Sequence, residues 1–354
     1  MNHTKFFSTR KNYLDLLRIF AIVCVVIMHT RQRVPIDLPL EFIIGTGVPL
    51  FLLISGGLML DKSQQMDIGS YFRKYGMRIL QFFILIPICG ILTNTLAWYC
   101  MGTNVTLGEA NSIISSPAFT QVGEFTLAEA FYKSLTEANG LYPKVLHVGN
   151  SHTWYLYLII GLYIGVPFLS IMCKNMENKQ LMLLCGLVLL AGIKSIPIMP
   201  AFLSPFDKWG IFYFLIGYPI VARHVLPKHT VAHKGVLIAA FLLIIIGRAL
   251  PYMPPAICAF LVELRAPIFC VALALVCRDY LNGINKRVIQ NLSKCSFSIY
   301  LWHFVVLWLC SIFLPLDEID CRLKFTIYFA LSFCVPWLTA ILLCRFRLLR
   351  WLVC

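Results

Sequence analysis

Residues 14–29 read LDLLRIFAIVCVVIMH, a strongly apolar run that also holds a carboxylate, an arginine and a histidine. As an α-helix, this run places Arg18 and His29 on one face, because eleven positions at about 100° each return almost to the starting direction. The two side chains then lie about 16 Å apart along the helix axis. A charged side chain near the middle of a bilayer costs roughly 2.5 to 3.5 kcal/mol on insertion scales, so the pair predicts a functional site inside a membrane helix.

The composition of the whole chain is typical of a membrane protein. Hydrophobic residues make up 59% of the chain and aromatic residues 14%, whereas only 13% of the residues are charged. These values exclude an ordinary soluble domain. The first apolar run has no small-residue cleavage site after it, so we expect it to remain as a helix. The 14 cysteines lie mostly in apolar runs without the paired spacing of a zinc or redox site, and we expect no metal.

Windows of about 20 apolar residues predict an all-α, polytopic integral membrane protein with about ten transmembrane helices. The predicted helices lie near residues 13–30, 41–60, 77–99, 153–173, 181–199, 209–224, 235–250, 256–277, 296–314 and 325–344. We predict one transmembrane domain over residues 1–354, with no soluble catalytic domain. The longest polar stretch, about residues 101–151, is an outer loop that either caps an outward-facing cavity or only connects two helices.

The basic residues decide the predicted orientation. With both termini in the cytoplasm, most of the 30 lysines and arginines fall in cytoplasmic segments. The formal net charge of +14 is then a topology signal, and we expect no nucleic-acid partner. Three of these residues, Arg73, Lys74 and Arg78, cluster at the start of the third helix. They are either part of the topology signal or a clamp for the phosphates of an anionic donor.

Other polar side chains are predicted at the depth of His29, which ends the first helix on the outer side. His152 and Trp154 open the fourth helix from that side, where they line a pocket with His29 or belong to an interfacial aromatic belt. His303, in the ninth helix, is either a packed, hydrogen-bonded residue or a functional one. The small residues around Ser55 in the second helix allow either close helix packing or close approach of a ligand.

Four sequence blocks, taken together, resemble a known family. They are residues 14–18 continuing to His29, with ten residues between the arginine and the histidine, then residues 51–56, 152–156 and 298–303. In this order and at these depths they resemble the membrane-bound acyltransferase-3 family, which includes O-acetyltransferases of bacterial surface polysaccharides such as O-antigen. The family's Arg-x-x-Arg pair before the third helix reads Tyr75-Gly76-Met77-Arg78 here, so Arg73 or Lys74 is expected to supply the second cation.

The resemblance implies an acyl transfer, most simply of acetyl from cytoplasmic acetyl-CoA to a hydroxyl of a glycan on the outer side of a bacterial inner membrane. It implies that His29 is the general base or a nucleophile that carries the acyl group. Arg18, held by Asp15, would steady the donor or a developing negative charge. The implied donor-side residues are Arg73, Lys74, Arg78 and Ser55, and the implied acceptor-side residues are His152, Trp154, Tyr300 and His303.

The expected partners are acetyl-CoA, the lipid bilayer and a glycan that arrives on a lipid carrier or free. Because the chain stops at Cys354 shortly after its last helix, we expect it to complete the transfer alone. The main alternative is a secondary transporter or flippase of a polar or lipid-linked substrate, which also uses membrane Arg, His and Glu residues. The sequence shows no inverted repeat of the kind that many transporters contain. A membrane sensor with histidines as pH switches is a further alternative.

Overall fold

A computed structural model of the chain describes residues 11–38, 41–102, 126–136, 154–193, 209–247, 252–284, 286–314 and 318–346. Within these ranges the regular structure is helical, which confirms the predicted all-α class. The helices, in chain order, are α1 Asn12–Arg33, α2 Glu41–Ile44, α3 Gly47–Ser63, α4 Ile68–Gly102, α5 Leu127–Thr136, α6 Trp154–Asn175, α7 Asn178–Gly192, α8 Trp209–Gly217, α9 Val231–Ile246, α10 Pro255–Tyr280, α11 Arg287–Phe313 and α12 Cys321–Leu343. A π-helical turn, Tyr218–Ala222, continues α8.

Seven segments of the described chain are long and apolar enough to cross a membrane, judged by length and composition. They are Asn12–Arg33, Glu41–Ser63, Ile68–Thr93, Tyr155–Asn175, Pro255–Tyr280, Arg287–Phe313 and Cys321–Leu343. Three shorter apolar helices, Asn178–Gly192, Gly210–Ala222 and Val231–Ile246, lie between them in the chain. These segments correspond one by one to the ten predicted helices, and the chain is a polytopic membrane protein.

Three predicted helices have different bounds in the structure. The second is divided at Gly45 and Thr46 into α2 and α3, the third begins at Ile68 rather than near 77, and the ninth begins at Arg287 rather than near 296. A hydropathy window detects the apolar middle of a helix but not its polar ends, where backbone hydrogen bonding continues. As a result, the first turns of α4 and α11 place polar side chains on helices that the sequence assigned to loops.

Several helix ends meet on one side of the bundle, which we call the basic face. There the start of α1 contacts the π-helical turn, because the Lys11 ammonium donates to the Val221 carbonyl (2.6 Å). The end of α10 contacts the same turn, because Arg278 Nη1 donates to the Ile220 carbonyl (3.2 Å). The alternation of the predicted helices assigns these same ends to one side of the membrane.

Some basic residues of this face cap helix ends. Arg223, directly after the π-helical turn, donates to the carbonyl oxygens of Cys173 (3.0 Å) and Met176 (2.7 Å) at the end of α6. The last carbonyls of a helix have no partner within the helix, and a cation placed there also interacts favourably with the helix dipole. Such residues are therefore part of the fold as well as of the charge pattern that indicates topology.

The opposite side of the bundle, which we call the far face, is built from the end of α1, the end of α11 and the start of α12. Val34 packs in one buried cluster with Leu307, Cys310 and Tyr328. Tyr328 also donates from its hydroxyl to the Cys310 carbonyl (3.1 Å), which joins α12 to α11. These contacts therefore fix the position of the C-terminal end of α1 beside α11.

Close packing between α3 and α8 accounts for the glycines that follow Ser55. A Cβ atom on Gly56 would overlap the carbonyl oxygen of Phe214, and one on Gly217 would overlap the carbonyl oxygen of Leu53. Small residues at a helix crossing let two backbones approach, which is a common way to join helices in a membrane. The sequence allowed either close helix packing or close approach of a ligand at these small residues. For Gly56 the structure shows helix packing, whereas Ser55 lines a cavity described below.

We expect Gly56→Ala to destabilise the protein by about 1 to 3 kcal/mol, because the added methyl group forces α3 away from α8. Thermal unfolding of purified protein in detergent measures the effect. Gly161→Ala in α6 is the matched control, since a Cβ atom there meets nothing within 4 Å. Equal melting temperatures for the two variants would contradict this account of the α3–α8 contact.

Candidate functional site

A cavity of about 520 Å³ lies inside the bundle between α1, α3, α4, α6 and α11. Its wall is unusual for a membrane protein interior because it carries many polar groups. The lining residues are Arg18, Phe51, Ser55, Arg78, Phe82, Tyr155, Leu156, Ile159, Tyr163, Ser293, Lys294, Ser296, Phe297 and Tyr300. Polar and charged side chains at membrane depth are costly, so a cavity lined by them is a candidate binding site.

Arg18 enters this cavity from α1 and is held by Asp15, as the sequence predicted. Its Nη1 atom lies 3.4 Å from Asp15 Oδ1, and 30% of the Arg18 side chain is exposed. Asp15 itself is buried, and the Ser293 hydroxyl of α11 donates to the same oxygen (2.6 Å). A buried carboxylate needs such partners to offset the loss of water. Asp15 therefore fixes the guanidinium at the cavity wall and ties α1 to α11.

Arg78 enters the cavity from α4. Its guanidinium lies over the ring of Phe297 at 4.4 Å and over the ring of Phe82 at 5.0 Å from the ring centres. Nη1 also donates to the Gln81 side-chain carbonyl (2.7 Å). Aromatic faces and a neutral amide orient the cation without neutralising its charge. These contacts hold the Arg78 guanidinium at the wall of the cavity.

The other two basic residues predicted for the donor side lie outside this lining. Arg73 and Lys74 are exposed, and the Lys74 ammonium lies over the ring of Tyr75 (5.4 Å). Along α4, Lys74 is about one turn nearer the basic face than Arg78, and Arg73 points about 140° away from it. The basic residue that joins Arg18 and Arg78 at the cavity is instead Lys294 of α11.

Two tyrosines of the cavity lining, Tyr155 and Tyr300, pack against each other, and we call them the tyrosine wall. The rings of Tyr155 and Tyr300 pack edge to face with centres 5.4 Å apart, and both residues are buried. Tyr155 also packs on Phe51 of α3 (6.3 Å). Ser55, predicted for the donor side, and Tyr300, predicted for the acceptor side, therefore line the same cavity. On α11 the lining runs from Ser293 to Tyr300, about 10 Å along the axis.

Beyond Tyr300, toward the far face, the structure brings two histidines together. His303 follows Tyr300 by three residues, less than one helical turn, and its ring centre lies 6.1 Å from that of Tyr300. The rings of His29 and His303 lie 5.2 Å apart, and Phe304 packs against the edge of His29 at 5.3 Å. His29 and Arg18 thus face the same helix, α11, as their common stripe on α1 predicts.

Hydrogen bonds assign the same tautomer to both histidines. His29 Nδ1 contacts the side-chain carbonyl oxygen of Gln32 (2.9 Å), and His303 Nδ1 contacts the main-chain carbonyl of Ile299 (3.0 Å). Because a carbonyl oxygen only accepts, Nδ1 carries the hydrogen in each neutral ring. The Nε2 atom of His29 then holds a lone pair, which is the state that a general base or a nucleophile requires.

Two of the predicted acceptor-side residues are not tested by this geometry. His152 lies outside the described residues, and of Trp154 the structure describes the backbone, which begins α6. Conversely, sequence reasoning missed Ser293, Lys294 and Gln32. The first two stand in the polar first turns of α11, and Gln32 follows His29 by three positions on the same helix.

The cavity and the histidines together suit the transfer of a chemical group from a molecule bound on one side of a membrane protein to a molecule bound on the other. A polar cavity lined by cations reaches from Ser293 to Tyr300 along α11. The imidazoles of His29 and His303 lie beyond Tyr300 toward the far face, and His303 is less than one helical turn from Tyr300 along α11. Such a layout can hold an anionic molecule on one side and deprotonate a hydroxyl on the other.

Comparison with known proteins agrees with this chemistry. The family model described as an acyltransferase domain matches residues 11–341, nearly the whole chain. The match covers α1 with Asp15, Arg18 and His29, as well as Tyr300 and His303 of α11. No curated protein and no solved structure matches the chain. The protein is a multi-pass membrane acyltransferase, and the chain belongs to the acyltransferase-3 family.

Proposed function

We propose that the protein is an O-acetyltransferase that moves acetyl from cytoplasmic acetyl-CoA to a hydroxyl of a bacterial surface polysaccharide, O-antigen or a related glycan. The acceptor is modified on the outer side of the inner membrane. One observation carries the proposal. Going from the basic face to the far face, the structure has a cationic cavity, then the tyrosine wall, then a pair of histidines.

The donor half of the proposal rests on the size and charge of the cavity. CoA carries several negative charges that do not cross a bilayer, so its phosphates stay at the face where the cations lie. Arg18 and Arg78 supply two of those cations. A cavity of about 520 Å³ accommodates the narrow pantetheine arm, whose amides suit a wall of serine and tyrosine hydroxyls. The thioester then reaches the Tyr300 end of the cavity.

The reaction half rests on His29. In the direct route, Nε2 takes the proton of the acceptor hydroxyl while the oxygen attacks the thioester carbonyl; the C–O bond forms, the C–S bond breaks, and the proton passes to the CoA thiolate. In the covalent route, Nε2 itself attacks the thioester carbonyl, so that an N–C bond forms and the C–S bond breaks to release the CoA thiolate. The acceptor oxygen then attacks the acetyl carbon, the N–C bond breaks, and the hydroxyl proton passes through Nε2 to the thiolate. Arg18, fixed by Asp15, supports either route by holding the donor.

The acceptor half rests on the far face, where His29 and His303 lie beside Phe304. Imidazole nitrogens bind sugar hydroxyls, and an aromatic ring packs against the apolar face of a sugar ring. We propose that His152 and Trp154 also contact the glycan, which is presented on a lipid carrier or free. We place the enzyme in the bacterial inner membrane because its acceptor is assembled there.

Purified protein in lipid nanodiscs, given acetyl-CoA with a radiolabelled acetyl group and a lipid-linked glycan, tests the proposal. We expect label on the glycan and a mass increase of about 42 Da per modified unit, the signature of a hydroxyl acetylated through an activated carbonyl. Empty nanodiscs provide the blank. Movement of unmodified glycan across proteoliposomes, without label transfer, would instead support the transporter or flippase alternative.

Reversing a charge in the cavity tests whether the cavity binds the donor or the acceptor, because the KM for each substrate is measured separately. For Arg78→Glu we expect the KM for acetyl-CoA to rise by at least about tenfold, because a carboxylate in the cavity repels the donor phosphates. The KM for the glycan should remain that of the wild type. Arg287→Glu, exposed at the start of α11 and outside the cavity lining, is the control. An unchanged KM for acetyl-CoA in Arg78→Glu would remove Arg78 from the donor site.

A further inference from the structure

Three cations from three different helices converge on the cavity: Arg18 of α1, Arg78 of α4 and Lys294 of α11. Among the described residues that line it, none is acidic. Asp15, behind the wall, offsets the charge of Arg18, so the cavity keeps a positive charge. Like charges repel in a medium of low dielectric constant, and their convergence is unfavourable unless an anion joins them.

Lys294 differs from the other two cations in its position. Arg18 and Arg78 are partly buried, whereas Lys294 is exposed although it lines the same cavity. On α11 it lies six residues, about 9 Å along the axis, before Tyr300 at the inner end. It is also near the start of α11, which lies at the basic face. Lys294 therefore stands at the mouth of the cavity.

We propose that Lys294 is a donor-binding residue that contacts the phosphates at the nucleotide end of CoA. This inference rests on the proposed function for the identity of the donor. The uncharged arm enters the cavity first, and the phosphates remain at the mouth, where a flexible ammonium with three donors reaches them. Lysine binds phosphate as a point charge and needs no fixed approach, which suits an exposed position.

This position also determines which kinetic constant depends on Lys294. The phosphates of the donor are far from the thioester that reacts, so the contact is the same in the ground state and in the transition state. Removal of such a contact raises KM and leaves kcat unchanged. The contact also lies at an exposed mouth, so its effect weakens as salt screens the charges.

The test compares wild type with Lys294→Met in nanodiscs, using equilibrium binding of CoA and steady-state kinetics with acetyl-CoA. We expect binding of CoA to weaken and the KM for acetyl-CoA to rise by about tenfold each, with kcat unchanged, as for the loss of one charge-assisted contact. Inhibition by pantetheine, which has the arm but no nucleotide, should be the same for both proteins. Lys286→Met, exposed one residue before α11 and outside the cavity lining, is the control.

Binding of dephospho-CoA identifies which phosphate is contacted. If Lys294→Met weakens the binding of CoA alone, the contact is with the 3′-phosphate. If it weakens the binding of CoA and of dephospho-CoA equally, the contact is with the diphosphate. Either result supports the inference. Unchanged binding of CoA by Lys294→Met, or an equal loss for pantetheine, would overturn it. Wild-type protein that binds no CoA would overturn it as well. Wild-type protein that binds CoA through Lys294 but transfers no acetyl would refute the proposed function alone.

Discussion

Replacing His29 by alanine is expected to lower the rate of acetyl transfer by about two to four orders of magnitude, the usual contribution of a general base. The loss is larger if His29 carries the acetyl group, because no other path then remains. The physical reason is the Nε2 atom of His29, which is the basic nitrogen in the tautomer whose Nδ1 donates to Gln32. Initial rates of label transfer to the glycan in nanodiscs measure the effect.

Two controls separate chemistry from folding in this experiment. His29→Asn keeps a polar side chain of similar reach but has no basic nitrogen, so we expect it to be as inactive as His29→Ala. Both variants should bind CoA as the wild type does, since His29 does not line the donor cavity. Retention of more than about a tenth of the wild-type rate would exclude His29 as base or nucleophile. Label that remains on the protein after rapid denaturation at neutral pH without acceptor, and that is absent from His29→Ala, would identify the covalent route.

Arg278→Leu is expected to destabilise the protein by about 3 to 5 kcal/mol, the cost of leaving a buried charge without its partner. Arg278 is 7% exposed, and its guanidinium contacts both carboxylate oxygens of Asp279, at 2.6 and 2.9 Å. It also donates to the carbonyls of Ile220 and Leu226 between α8 and α9. His233 Nε2 of α9 lies 2.9 Å from the same carboxylate. One substitution therefore removes the guanidinium donor from the Asp279 carboxylate and from two carbonyls.

Thermal unfolding in detergent measures this loss. Arg287→Leu is the matched control, because that arginine is exposed at the same face and substitutions at such positions usually change stability by less than about 0.5 kcal/mol. The double variant Arg278→Leu with Asp279→Leu should recover part of the loss, since it removes both charges. A melting temperature of Arg278→Leu equal to that of Arg287→Leu would show that this cluster does not support the fold.

The membrane class and the order of the helices could be predicted from sequence because they depend on composition and on runs of apolar residues. The spacing of eleven positions also placed Arg18 and His29 on one stripe of α1. Helix ends could not be predicted in the same way, since α4 and α11 begin in polar segments that resemble loops. That error concealed Ser293 and Lys294, which become cavity residues only when α11 is extended to Arg287.

Tertiary contacts account for the rest of the difference between prediction and structure. Motif comparison predicted Arg78 as a donor-side cation with Arg73 or Lys74 as its companion, and in the structure Arg78 lines the cavity whereas Arg73 and Lys74 do not. The rotation and rise of α4 separate Arg73 and Lys74 from Arg78, although the three are neighbours in sequence. Lys294 is remote in sequence, but α11 brings it to the cavity that Arg78 lines. The pairing of His29 with His303 likewise depends on the depth at which α1 and α11 pack, which no local pattern records.

The tyrosine wall has an electrical consequence for the cell. An energised membrane stores a voltage and a proton gradient, and an open water path through a membrane protein would discharge both. Tyr155 and Tyr300 are buried lining residues of the cavity, and Tyr300 lies beside His303. For the transfer that we propose, this buried aromatic packing opposes a continuous water path for ions through the site.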